Sequence, residues 1–270
     1  MKNLTIIALV SLVLLSCKED DVPYPPTIGA AEVTVTKEAQ TVTIPIVADM
    51  DILDVTMDEE SEEWCSFEWR GSEIVATVQA NELITRQASF SIKGSIRDGS
   101  GTLIQQGRNM KEYGKASWTI VAVSDEKVDD GGGAVSILVD DQTTFWHNDY
   151  GNAEAVLPHW VVVDMQEERQ VDMVQLGWRQ YGTKYYYNNK VTNVYVGNSP
   201  NHDEITTMVG SVTTLPYGGG SHASDKHKPY HNIAVTPSKG RYLKIEVAES
   251  NTGQNSIVAF VKVFQDMGTD

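Results

Sequence analysis

Between Ile137 and Met165 the chain reads ILVDDQTTFWHNDYGNAEAVLPHWVVVDM. The stretch packs acids, threonines, two tryptophans, two histidines and a tyrosine together. His147 and Tyr150 stand three residues apart and bring a ring nitrogen and an aromatic face. Four readings compete for these residue types at this spacing: a catalytic site, a metal site, a sugar platform, or the corner of a β-sandwich beside the apolar run WVVVDM.

A second set of chemistry-bearing residues is His222, His227 and His231 in PYGGGSHASDKHKPYH. Pro229 interrupts the one helical spacing, His227 to His231, and no carboxylate-bearing strand pattern accompanies them, so the stretch reads as a glycine-rich loop rather than a zinc site. An enzyme reading fares no better. Glycosidases need two positioned carboxylates, and Asp129–Asp130 and Glu167–Glu168 lie in predicted turns without a catalytic motif; neither a G-x-S-x-G elbow nor a phosphate loop is present. The chain is expected not to be an enzyme, with glycoside hydrolase the one class worth testing. Cys65, in the strand-like EEWCSFEW, reads as a buried inert thiol.

The elements that must position these residues are strands. From Glu32 the chain alternates apolar and polar residues in short runs (EVTVT, TVTIPIV, ILDVTM, WCSFEW, EIVATVQ, ASFSIKG, TLIQQ), about seven between Thr27 and Gly107, as in an immunoglobulin-like sandwich. GRNMKEYGKA, residues 107–116, breaks the alternation and marks a domain junction. A second β-rich region follows with WTIVAV, WVVVDM, VDMVQLGW, VTNVYVG, ITTMVGSV, HNIAVT, RYLKIEV and SIVAFVKVF. At 270 residues and 41% apolar the chain can build real cores. A formal charge of -16 without a dense Lys/Arg cluster argues against nucleic acid as a partner. Two cysteines, Cys17 and Cys65, cannot make a disulfide framework.

The first seventeen residues read as a targeting segment, with Lys2 ahead of an apolar run too short for a comfortable membrane span. LLSC, Leu14 to Cys17, resembles the lipobox of bacterial lipoproteins, which implies that Cys17 is acylated and becomes the new N-terminus. KEDD, Lys18 to Asp21, resembles the acidic signal that sends such lipoproteins to the outer face of the outer membrane. Together these imply an outer-membrane lipoprotein exposed at the cell surface, held by its lipid alone. Pro23, Pro25 and Pro26 stiffen a short tether, residues 18–26.

Residues 27–107 resemble the BACON domain through Trp64, through VQANELITRQASFSI with Asn81 and Arg86, and through LIQQG with Gln106 and Gly107. That domain is expected to act as a spacer. Residues 116–270 resemble the discoidin, or coagulation factor 5/8 type C, family. The likeness rests on AVSILVDDQTTFWHNDYGNAEAVLPHWVVVDM, VQLGWRQ, KVTNVYVGNSP, GRYLKIEVAES and IVAFVKVF, in family order. It implies a galactose-binding-like jelly-roll sandwich, so the whole chain is expected to be all-β, two β-sandwiches in series. Trp146, Pro158, Trp160 and Asp164 then serve the fold, with Trp160 plugging one sheet.

The same resemblance implies a structural calcium held by Asp140, Asp141 and Thr144, although Val139 and Lys262 stand where the family pattern has an acidic residue. It also implies a carbohydrate site in which His147, Tyr150 and Arg179 converge. A sugar needs an aromatic face for its C–H side and preformed donors and acceptors for its hydroxyls. Tyr181, Tyr185, Asn188 and Asn251 in neighbouring loops are further candidates. Strand alternation lets only one or two of Tyr185, Tyr186 and Tyr187 reach one ligand. Arg179 stapling loops and His147 capping a turn are the structural alternatives. The implied function is non-catalytic capture of a galactose-type glycan at the cell surface. The alternative is an adhesion or assembly protein whose loops bind a partner protein, for example another surface lipoprotein or a transporter.

Cys17→Ala is expected to leave the protein unacylated and shift it from the membrane to the soluble fraction, read by fractionation and immunoblot. Scrambling Lys18–Asp21 is expected to remove it from protease reach on intact cells.

Overall fold

The computed structural model describes residues 25–217 and 222–268. Cys17, the KEDD run and the start of the proline tether lie outside the described residues. The chain divides into two compact units between Arg108 and Asn109. Among the described residues both are all-β, and helix is confined to short 3-10 turns such as Glu59–Ser61, Ala134–Leu138 and His202–Glu204.

The first unit holds β1 (Ile28–Ala30), β2 (Glu32–Val35), β3 (Gln40–Ala48), β4 (Ile52–Met57), β5 (Cys65–Trp69), β6 (Glu73–Val78), β7 (Arg86–Gly94) and β8 (Gly99–Gln105). They form two four-stranded sheets, β1-β3-β6-β5 and β2-β8-β7-β4, with β2 parallel to β8. Alternation builds the core directly: in β7, Ala88, Phe90 and Ile92 are buried while Gln87, Ser89 and Ser91 face solvent. They meet Ile44, Ile74, Ala76 and Leu103. Each such aliphatic side chain contributes roughly 1.5–3 kcal/mol by leaving water. Cys65 belongs to this core, and burial, then the charge of Asp58, push its thiol up to about 11. It is not poised to react. The polar residues quoted above for this unit lock one end of it. Arg86 lies 4.3 Å over the Trp64 ring and donates from Nε to Gln105 Oε1 (2.9 Å), and the Asn81 amide donates to the carbonyls of Ile84 and Gln106.

The second unit holds β9 (Met110–Glu112), β10 (Thr119–Val123), β11 (Trp146–His147), β12 (His159–Gly177), β13 (Gln180–Tyr181), β14 (Lys184–Tyr186), β15 (Asn189–Gly197), β16 (Met208–Thr213), β17 (Ala223–Ser224), β18 (Tyr230–Ser250), β19 (Ile257–Val258) and β20 (Phe260–Asp266). The main sheet runs β16-β15-β18-β12-β20-β9, and β10 pairs with β12. Small sheets β11-β19 and β13-β14-β17 carry the loops at one end.

Three features differ from the sequence reading. WVVVDM and VDMVQLGW, read as separate strands, form the single β12, and HNIAVT and RYLKIEV form the single β18; the two pair along their length, with register shifts at Asp164/Arg169 and Val171/Met173 absorbing the bend. Asp164 accepts both Arg241 Nε and Nη2 at 2.8 Å beside that bend. The segment read as a linker contains β9, which pairs with β20, while the Tyr113 hydroxyl donates to Gln265 Oε1 (2.9 Å). Lys111 and Glu112 are exposed on this edge strand, so its apolar pattern is too weak to read.

Trp160 is the third. Val161 and Val163 point into the main core, so alternation turns Trp160 to the other face, where it is half-buried and stacks on His202 at 3.8 Å beside Val162, Ile205 and Tyr242. The plugs of the core are Trp146 and Trp178, both fully buried. Trp146→Ala is therefore expected to lose about 3–5 kcal/mol of stability in urea unfolding, and Trp160→Ala about 1 kcal/mol.

Candidate ligand site

The loops at the β11 end of the second unit gather around a strand of two residues. Trp146 pairs with Val258 and His147 with Ile257, and the pleat sends their side chains opposite ways. Trp146 enters the core, its Nε1 donating to the Asp125 carbonyl (3.0 Å), and His147 turns into the loops. Phe145 is bridged to Gly132, and its N–H donates to the Gly131 carbonyl (2.8 Å). Gly131, Gly132 and Gly133 take φ of 101°, 100° and 79°, backbone that a side chain resists. This turn delivers Asp130, whose Oδ2 lies 2.9 Å from His147 Nδ1.

His147 is 5% exposed, and its Nε2 has no partner among the described residues. Burial holds its pKa below the ordinary 6.5, against the pull of Asp130. Burial works to raise the Asp130 pKa, yet the hydrogen bond and charge of His147, with Arg179, hold it below the usual carboxylate range. At neutral pH, Nδ1–H therefore donates to an ionised Asp130 and Nε2 presents a lone pair. The His147 ring lies 4.4 Å from that of Tyr150, which is 46% exposed.

Arg179 follows the end of β12. Its guanidinium is 4.4 Å over Phe145 and 5.1 Å over Tyr186, and its N–H groups have no hydrogen-bond acceptor among the described residues. Aromatic faces thus hold a half-buried cation in a fixed plane, with its donor edge uncommitted. Asp130, Phe145 and Tyr186 complete the cluster. Asp130 and Phe145 were not among the sequence candidates, although the triple glycine after Asp130 was the available signal.

Other candidates fall elsewhere. Tyr181, at the β13–β14 hairpin with Gly182 at φ 61°, is 68% exposed, and Tyr185 is half-buried. Tyr187 is core, stacked on His227 at 3.9 Å. Two candidates, Asn188 and Asn251, are turned inward or committed to backbone. Asn188 has a buried side chain, and its carbonyl accepts from Ser250 Oγ (3.0 Å). The Asn251 amide is committed to the carbonyls of Tyr187, Asn189 and Thr214 at 2.8–2.9 Å, which ties loops together rather than reaching outward. His227 is held between the Tyr217 N–H (2.9 Å) and the Tyr185 carbonyl (2.8 Å), and His231 takes the Trp178 Nε1–H at 2.7 Å, so the histidines do not form a metal set.

The residues read as calcium ligands have protein partners. Asp140 Oδ1 accepts from Lys115 Nζ at 2.6 Å, and Lys262 Nζ lies 3.5 Å from Oδ2. Asp141 Oδ1 accepts from the N–H (2.8 Å) and hydroxyl (2.7 Å) of Thr143, and Thr144 Oγ1 faces the Asp141 carbonyl at 3.5 Å. Among the described residues no three His, Cys, Asp or Glu side chains converge as a metal site. A divalent cation does not fit beside two ammonium groups.

A β-sandwich with polar and aromatic groups gathered in the loops at one end defines the class. Residues 119–260 match the F5/8 type C domain, and the chain belongs to that family. Similar solved structures include the family 32 carbohydrate-binding module of NanJ from C. perfringens in complex with galactose (17% identity, 58% of this chain and 99% of that one, TM-score 0.45). A family 32 module from Clostridium perfringens in complex with GalNAc-β-1,3-galactose gives 14% identity, 57% and 100% coverage and a TM-score of 0.46. The C-terminal domain of a chitobiase from Bacteroides fragilis gives 18%, 59%, 100% and 0.45. No curated protein matches the sequence.

The pH behaviour of His147 follows from its burial. Below pH 6.5 the unfolded chain takes up the proton before the folded one does, which destabilises the fold progressively until the folded-state ring is protonated too. His147→Gln is expected to lose less stability than wild type on acidification from pH 6.5, measured by thermal unfolding across a pH series.

Proposed function

We propose that the second unit binds the terminal sugar of a glycan, without catalysis, and that the first unit serves as the spacer lifting it from the lipid anchor of a surface-exposed outer-membrane lipoprotein. The observation that carries this reading is a buried, unpartnered His147 Nε2 beside an Arg179 guanidinium with no acceptor. One offers a lone pair to a hydroxyl proton, the other a donor fork to adjacent hydroxyl oxygens. Tyr150 supplies the exposed aromatic face for the C–H side of the ring. Asp130 is engaged by His147 and orients it, which is a positioning duty. The sugars named for the similar structures make galactose and N-acetylgalactosamine the first probes.

A second reading is favoured by one observation. Tyr181 and Tyr150 stand out from the loops as exposed aromatics, which suits a protein interface as well as a sugar platform.

A shallow site with a handful of hydrogen bonds is expected to hold a monosaccharide at about the millimolar level, on the order of -4 kcal/mol. Losing a charged hydrogen bond removes roughly 1.5–3 kcal/mol, about ten- to a hundred-fold in Kd. Arg179→Ala and Tyr150→Ala are expected to abolish retention in glycan affinity electrophoresis while the thermal transition is kept, and Arg179→Lys to restore little, since it lacks the planar fork. A glycan array blank for wild type would favour the protein-partner reading. An Arg179→Ala variant retained on glycan as wild type is would remove the site assignment.

A further inference from the structure

Lys115 holds a position that the ligand site does not explain. Its side chain is 7% exposed, rare for lysine. Its ammonium donates to Asp140 Oδ1 at 2.6 Å and to the Val261 carbonyl at 2.9 Å, and it lies 6.0 Å from the centre of the Phe260 ring. Lys262 brings a second ammonium to the other Asp140 oxygen, at 3.5 Å, and reaches Glu112 at 3.3 Å. Three stretches far apart in sequence meet here: the segment just after β9, the acidic turn before β11, and β20. A carboxylate and a backbone carbonyl converging on one compact charge is the arrangement that oxygen-seeking cations create.

We propose that the Lys115 ammonium is the built-in cation of this oxygen cage, clamping the acidic turn to β20 and making the fold of the second unit independent of calcium. A buried charge is stable only while its partners remain, so Lys115 and Asp140 depend on each other. Lys262, on the outer side of the same carboxylate, adds positive charge that repels a divalent ion. The acidic turn leads within a few residues to Phe145 and His147, so the clamp also fixes the base of the loop that carries the ligand-facing groups.

The test uses the full chain. Calorimetric unfolding in excess calcium chloride and in EGTA is expected to give the same transitions, and titration with calcium alone no binding heat. Lys115→Ala is expected to unfold several degrees lower, and ethylammonium, but not calcium, to recover part of the loss. Lys115→Met keeps the stem and removes only the charge, and is expected to show a comparable loss. A calcium-induced rise in the wild-type unfolding temperature would overturn the proposal. So would calcium rescue of Lys115→Ala, or a Lys115→Met chain as stable as wild type.

Discussion

The second unit depends on the pleat of a two-residue strand. Because neighbours in a strand face opposite ways, anchoring Trp146 in the core forces His147 out into the loops. The anchor is strong on both counts that matter: the indole is fully buried, and its one donor is satisfied by the Asp125 carbonyl. Core packing and the placement of His147 are thus the same constraint seen from two sides.

Around that pivot, buried polar groups tie the loops to the sandwich. Asp125 accepts from the Asp149 N–H (2.6 Å) and the Ser124 hydroxyl (2.9 Å) and faces His159 Nδ1 at 2.8 Å, so the loop bearing Tyr150 is moored to the start of β12. Asn251 gathers three carbonyls from two segments, Tyr187 and Asn189 from one and Thr214 from the other. Buried donors and acceptors must find partners. Against this background the unpartnered buried atoms are few among the described residues: Nε2 of His147, with Trp118 Nε1, Asn188 Oδ1, Asn189 Nδ2 and Ser256 Oγ.

Electrostatics follows the same division. The chain is strongly acidic overall, yet its cations sit where structure needs them: Arg241 on Asp164 at the bend of β12, Arg86 over Trp64 in the first unit, Lys115 beneath the acidic turn. Arg179 differs from these. Its guanidinium lies over the faces of Phe145 and Tyr186, and it acts on the Asp130 carboxylate through charge, without a hydrogen bond between them among the described residues.

Much of this was readable in the residues alone. Period-2 alternation in runs such as ASFSIKG specifies strands and their buried faces, because the pleat has no other period, and the motif order from VDDQTTFWHNDYG to FVKVF carries the family. His147, Tyr150 and Arg179 could be singled out by type, and the structure puts His147 against Tyr150 and Arg179 over Phe145. Other features were not. Alternation says which residues share a face but not which face meets the core, so Trp160 and Trp146 could not be ranked until the packing was known. Nor does it show where a strand bends without ending, as β12 does. Asn188, Asn251, Asp140 and Lys115 were decided only by the tertiary structure. A polar side chain's role is set by the atoms within about 3 Å of it, and for these residues the deciding partners are brought there by the fold; for Lys115 they come from the acidic turn and from a strand almost 150 residues away.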